Sequence, residues 1–455
     1  MIATIDPATG GQLARFDVHT PAEVDARIER AARTHAQWRL RPAGDRAALL
    51  PRLAALLRSE KQALAALITT EMGKPIGEAL AEVEKCALNC DFYAGHAPAM
   101  LADAPIAAVP GATIAFEPLG VILAIMPWNY PLWQVIRFVA PALAAGNGAI
   151  LKHAANVPQS ALAIERLVAE AGFPEGLFAN LFVEPAVVAA VIADPRIAGV
   201  TLTGSTEVGA IVAGQAGAAL KKQVLELGGS DPFVILADAD LDRAARMAVT
   251  ARFTNAGQSC VNAKRFIVEA SIADAFVERF LADIAELRLG DPREAGTTLG
   301  PLARANLRHA IHDQVERSVA AGARLRTGGA TPGGPGFFYP ATLLDHVAPG
   351  MAAFDEETFG PAAAVIRAPD ADTAIALANR TSFGLGASIW TADLDRGRAL
   401  ARRIDAGAVF VNAMVASDPR VPFGGIKRSG YGRELGEAGM KEFTNMKTIR
   451  VAEAA

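Results

Sequence analysis

The sequence predicts an α/β protein built on an open, doubly wound parallel sheet. Three features carry the prediction. Uninterrupted apolar runs such as Val121-Ile122-Leu123-Ala124-Ile125-Met126 suit parallel strands buried on both faces. Segments with apolar residues three and four apart alternate with these runs and read as helices. Pro, Gly and Ser punctuate the junctions, and strand–helix alternation over this distance makes βαβ units. The 455 residues allow about three domains. Hydrophobic residues make up 51% and charged residues 20%, enough apolar material for a large core and too little charge for a disordered chain.

In chain order, Ile5-Asp6-Pro7-Ala8-Thr9-Gly10-Gly11 reads as a turn between short strands. Helical spacing runs from Pro21 to Leu67, with Thr20 and Glu23 as a capping box at its start. A second helical stretch covers Ile76 to about Tyr93 and puts Cys86 and Cys90 on one face, where they read as core. Residues 98–118, broken by Pro98, Pro105, Pro110 and Gly111, suit a hairpin or arm leaving the main body. The run 121–126 ends at the rigid turn Pro127-Trp128-Asn129-Tyr130-Pro131, and a helix through Ala145 follows. Strands are then expected at 149–152, 178–182 and 199–203, with helices between them. The second half repeats the alternation: a strand at 232–236, a helix capped by Asp240, a strand at 265–269, and a helix capped by Ser271. A carboxylate-rich turn at 354–361 and a strand at 409–412 come next. The segment Phe443 to Val451 alternates like an edge strand.

Bulk properties exclude several functions. A net charge of −4 gives no footprint for nucleic acid. No window reaches the ~20 apolar residues of a membrane helix, and the opening residues lack a signal-peptide pattern. Three cysteines in so long a chain do not make a disulfide framework. A cytoplasmic protein is expected. His309 and His312 have no third ligand near them in sequence, so no metal site is expected. A Gly-x-Ser-x-Gly nucleophile elbow is missing, which argues against a serine hydrolase.

Two stretches carry the chemistry. Asn255-Ala-Gly-Gln-Ser-Cys260 sets a thiol after a turn, and Leu225-Glu226-Leu227-Gly228-Gly229 sets a carboxylate at an apolar strand end. An unpaired buried carboxylate is costly, so Glu226 is out of character for a structural residue. One thiol and one carboxylate suggest a nucleophile and a base. Ligands of open α/β sheets bind beyond the strands' carboxyl ends, where Asn129, Lys152 and Gly204-Ser205-Thr206-Glu207-Val208-Gly209 fall. Strand, Gly-Ser and helix start together favour a phosphate, although taken alone the motif is weak and Ser205 reads more readily as a helix cap.

Together these pieces resemble the aldehyde dehydrogenase superfamily over essentially the whole chain. The motifs are Pro127–Pro131, Thr203–Gly209, Glu226–Gly229, Gly257–Cys260, Glu356–Pro361 and Pro422–Gly425, in the family's order and spacing. Within it the chain looks most like the short bacterial succinate-semialdehyde dehydrogenases, as in Glu71-Met72-Gly73-Lys74-Pro75-Ile76 and Leu151-Lys152-His153-Ala154. The resemblance implies a Rossmann-like NAD(P)-binding domain (1–98 and 119–227), an α/β catalytic domain (228–430) and a β-type oligomerisation element (99–118 and 443–455). It further implies a homodimer or homotetramer.

It also implies an oxidation of a small aldehyde to its acid. Cys260 is then the nucleophile, Asn129 the oxyanion donor together with the Cys260 N–H, and Glu226 the base that releases a thioester. Cofactor contacts fall to Met126, Pro127, Trp128, Lys152, Gly204, Ser205, Val208, Leu227, Glu357 and Phe359. Arg137, eight residues after Asn129, and Ser417 match the group's contacts to a distal carboxylate. Thr254 stands where better-known members carry a second Arg, six residues before the nucleophile. Ala155 offers nothing acidic against a 2′-phosphate, whereas His153 replaces a family Pro and could crowd or pair with one; use of both NAD and NADP is expected, with NAD favoured. The expected reaction is succinate semialdehyde to succinate. The alternatives are a broader enzyme acting on glutarate semialdehyde or neutral aldehydes, and a CoA-acylating relative, which Glu226 disfavours. A non-catalytic descendant would be expected to lose Cys260, Glu226 or Asn129.

Overall fold

The structure, a computed structural model, describes residues 1–452. The strand Val121–Met126 lies between Gly148–His153 and Ile197–Thr203, parallel to both. The sheet continues to Phe178–Asn180 on one side and to Lys222–Glu226 on the other, with Gly430–Tyr431 pairing antiparallel outside the latter. From the two central strands the chain proceeds in opposite directions. That reversal opens a crevice at their carboxyl ends, where α/β sheets take ligands. Every residue of Val121–Met126 except Ile125 is buried, which accounts for its unbroken apolar run.

A second sheet orders Arg324–Thr327, Thr342–Asp345, Ala362–Ala368, Ala263–Glu269, Asp231–Ile235, Gly386–Trp390 and Ala408–Val411. Only its first pairing is antiparallel. A small antiparallel sheet joins Ala104–Pro105, Ala112–Pro118 and Thr444–Arg450, and the last of these strands forms an edge whose side chains are exposed beyond Thr444.

Local sequence explains most element boundaries. Thr20 accepts from the Glu23 N–H while the Glu23 carboxylate accepts from the Thr20 N–H, the capping box read from sequence. Asp240 caps its helix through the Arg243 N–H. Two expectations need correction. The helix expected to end near Tyr93 runs Ile76–Met100 and passes through Pro98. Pro98 falls in the final turn, where the missing N–H costs one bond and the ladder resumes with Leu101 N–H to Ala97 O. Ser271 is not a helix cap: it lies within the 3₁₀ turn Ala270–Ile272, and the helix begins at Ala273 without a side-chain cap.

The long helix Ile76–Met100 fixes the turn that carries Asn129. Glu82 accepts from the N–H groups of Leu132 and Trp133 at 2.9 and 3.0 Å and is ion-paired with Lys74. Lys74 also sits 3.6 Å above the Tyr130 ring. Both charges of the pair are buried, so each needs the other to offset its desolvation. The helix Trp133–Ala145 that follows is buried along its whole length.

Candidate active site

The crevice holds a cavity of about 380 Å³ lined mainly by loop and helix residues that follow the first sheet's strands or lie between those of the second. Cys260 opens onto it together with Asn129, Pro127, Trp128, Gly204, Ser205, Val208, Leu227, Glu357 and Phe359. Segments up to 232 residues apart, counting from Pro127 to Phe359, therefore meet at one cavity.

The turn before Cys260 needs unusual backbone. Asn255 and Ala256 have φ of 56° and 51°, left-handed values that cost a non-glycine residue free energy. Packing holds them there: Ala256 is in the second sheet's core, and the Asn255 N–H donates to Glu78 at 2.7 Å. Asn255 also donates from Nδ2 to the Asn129 carbonyl at 2.8 Å, joining the thiol's turn to the Asn129 turn. Gly257 has φ of 73°, and a Cβ there would lie 2.3 Å from the Gly360 carbonyl oxygen. No side chain fits. Beyond the turn, the buried Lys264 donates to the Ser259 and Cys260 carbonyls at 3.1 and 2.8 Å and lies 3.7 Å from Glu357.

Charge at the thiol is controlled by burial. Desolvation pushes Cys260 up to about 12, and the cations Lys264 and Arg137 pull in the opposite direction. Burial outweighs the two cations until a ligand changes the surroundings.

Glu226 is buried at the end of its strand, and neither carboxylate oxygen has a hydrogen-bond partner. A Cβ on Gly424 would meet its Oε1 at 2.7 Å, so the carboxylate leans on a glycine cradle and does not line the cavity. Burial raises its pKa well above the ordinary value, and the neighbouring Glu434 adds to the effect while Arg137 and Arg433 oppose it.

The cofactor positions divide between the cavity and its margins. Ser205 caps the helix Thr206–Ala218 by accepting from the Val208 N–H, and both residues, at the helix's amino end, line the cavity. Trp128 and Phe359 pack edge to face with ring centroids 5.8 Å apart, and Glu357 accepts from the Gly229 N–H at 3.0 Å. Met126 and Lys152 lie at adjacent strand ends outside the lining, Met126 buried and Lys152 half-buried. His153 corrects an expectation: its ring is buried against the Met126 and Pro131 carbonyls, and desolvation lowers it to about 4. It is neutral and faces the core, so it neither crowds nor pairs with a 2′-phosphate. Arg304, Leu307 and Thr203 also line the cavity. Arg304 stands 5.3 Å over the Trp128 ring, and no motif in its stretch of sequence marks it.

None of the three residues read as substrate contacts lines this cavity. Arg137 is buried, ion-paired with Glu434 and 4.9 Å above the Phe423 ring. Its Nε has no partner. Ser417 accepts a 2.7 Å bond from Lys85 Nζ. Thr254 turns its hydroxyl back onto the Thr250 carbonyl at 2.7 Å, closing its own helix.

The Aldehyde dehydrogenase family model matches residues 1–449. The chain belongs to that family. A Mycobacterium tuberculosis relative named succinate-semialdehyde dehydrogenase (NADP+) 1 is 50% identical over 455 residues, covering 99% of this chain and all of the relative. An Escherichia coli relative named succinate semialdehyde dehydrogenase (NAD(P)+) Sad is 49% identical over 447 residues, covering 98% and 97%. The solved structure of succinic semialdehyde dehydrogenase from Streptococcus pyogenes with NADP+ superposes with a TM-score of 0.97 at 38% identity, covering 99% of this chain and 100% of that one. The aldehyde dehydrogenase fold expected from the motifs is therefore the fold found. The expected lean towards NAD finds no support in these names. Among the described residues no helix is long and apolar enough to cross a membrane.

Proposed function

We propose that this aldehyde dehydrogenase oxidises succinate semialdehyde to succinate, using NADP+ at least as well as NAD+. The observation that carries the reading is Cys260 opening onto one cavity with Asn129, Ser205, Glu357 and Phe359. The names of the relatives support the substrate, as does Arg137 with its unpartnered Nε. The crevice fits a dinucleotide: a 13-residue helix points its amino end at it, and Lys152 at its margin has no carboxylate within ion-pair reach among the described residues. In this reading Lys152 and Ser205 hold the adenosine ribose and pyrophosphate, Glu357 holds the nicotinamide ribose, and the six-stranded sheet is the core of the cofactor domain. With Ala155 neutral and His153 turned inward, nothing acidic opposes a 2′-phosphate there.

The chain's own residues account for the chemistry. Cys260 Sγ, once deprotonated, bonds to the aldehyde carbon, and the resulting oxyanion takes hydrogen bonds from Asn129 Nδ2 and the Cys260 N–H. A bound nicotinamide supplies the hydride acceptor. The thioester left on Cys260 is released when Glu226 takes a proton from water and the oxygen attacks the acyl carbon. Glu226 must swing from the Gly424 cradle towards Cys260 to do so.

Initial rates with succinate and glutarate semialdehydes, butanal and benzaldehyde, each with NADP+ and NAD+, test the reading. Succinate semialdehyde with NADP+ should give the highest kcat/KM. Neutral aldehydes preferred by more than about tenfold, roughly the worth of one net hydrogen bond, would overturn the substrate. Rates that depended on CoA would instead favour the acylating class.

The exposed edge Thr444–Arg450, with Met446 and Ile449 in water, also suits pairing with a second copy. On this reading the protein sediments as a dimer or tetramer, and a monomer at micromolar concentration would sink it.

A further inference from the structure

The family pattern leaves this chain one cation short at the substrate, because Thr254 is neutral and its hydroxyl is spent on its own helix. A different cation stands beside Ser417, which the resemblance assigns to the substrate's distal carboxylate. Lys85, in the helix Ile76–Met100, reaches Ser417 Oγ at 2.7 Å and lies 4.3 Å above the Trp133 ring. Among the described residues no carboxylate comes within ion-pair distance of it. Asp418, next to its hydroxyl partner, is engaged by Arg420 at 2.8 Å. Arg137, one turn beyond Trp133 on the same helix, is by contrast already matched by Glu434.

A half-buried ammonium held by a hydroxyl and an aromatic face, with no anion, is costly to keep. Burial indeed lowers Lys85 to about 8; Arg137 adds to this, while Cys86, Glu82 and Asp418 oppose it. A carboxylate arriving beside Lys85 and Ser417 would relieve the cost and gain a charge-assisted bond. We infer that Lys85 is the second cation for the substrate's distal carboxylate, acting with Ser417 where position 254 offers none. The inference rests on the proposed succinate-semialdehyde activity and names the residue that selects for the acid end.

Lys85→Met keeps the length and apolar stem of the side chain and removes its charge. Its KM for succinate semialdehyde should rise about 10- to 100-fold, the worth of a charge-assisted hydrogen bond. The kcat/KM for butanal should change by less than about threefold, and Lys85→Arg should recover most of the loss. Equal losses on both aldehydes would mark Lys85 as structural and overturn its role. So would a Lys85→Met variant that still discriminates like the wild type. If the wild type itself oxidises butanal as readily as succinate semialdehyde, the substrate assignment falls and the role of Lys85 with it.

Discussion

Cys260→Ser is expected to lower turnover by about 10³-fold or more, ~4 kcal/mol of transition-state stabilisation, while the protein folds and binds cofactor as before. Serine keeps the size of the side chain, and the turn that presents it is held by groups elsewhere: Asn255 to Glu78, Ala256 in the core, Lys264 on the carbonyls. The loss is therefore chemical. A hydroxyl attacks a carbonyl well only when a base takes its proton, and no such base is in place, because Glu226 makes no hydrogen bond in this structure. A thiol can do without one if the surroundings stabilise its anion. Burial here holds the thiol at about 12, with Lys264 and Arg137 as the opposing cations. A cationic nicotinamide ring would tip that balance. The check is the steady rate of cofactor reduction alongside cofactor affinity and thermal melting. Residual activity above a tenth of wild type would remove Cys260 as nucleophile.

What could be read from sequence divides along physical lines. The apolar run 121–126, the Gly204-Ser205 turn and the Cys260 turn are legible because each is contiguous and local chemistry dictates its shape. Partners brought together only by folding are not. Lys85 and Ser417 stand 332 residues apart, and nothing near either announces the other. Glu434 is equally silent as the partner of Arg137. His153 is a different kind of miss. Its neighbour Lys152 is the half-buried residue at that strand end, and alternation along a strand sends the next side chain to the opposite face. The core-facing ring was there to be read. Pro98 shows the reverse error, in which a strong local signal was taken for a boundary although the helix runs on to Met100 at the cost of one hydrogen bond.

The second large effect concerns release of the acyl enzyme. Glu226→Gln should leave the first turnover nearly intact, as a burst of reduced cofactor close to one per active site, and slow the steady rate by about 10²- to 10³-fold. Glutamine fills the Gly424 cradle with the same shape but cannot take a proton from water. The wild type should also show a pH signature. Burial, reinforced by Glu434, holds the Glu226 pKa well above that of an ordinary carboxylate. The base form is therefore scarce at low pH and grows as pH rises, so deacylation accelerates with pH through the range in which Glu226 gives up its proton. Removing that proton acceptor removes the slope, and the residual rate of Glu226→Gln should be flat where the wild type climbs. Stopped-flow burst amplitudes and steady rates across the pH series separate the outcomes. A variant that lost the burst along with the steady rate would place Glu226 in the attack on the aldehyde. A variant with full steady turnover would mean that some other group activates the water. Arg137, in this account, helps to keep Glu226 ionisable at all, because it is first among the cations opposing the rise.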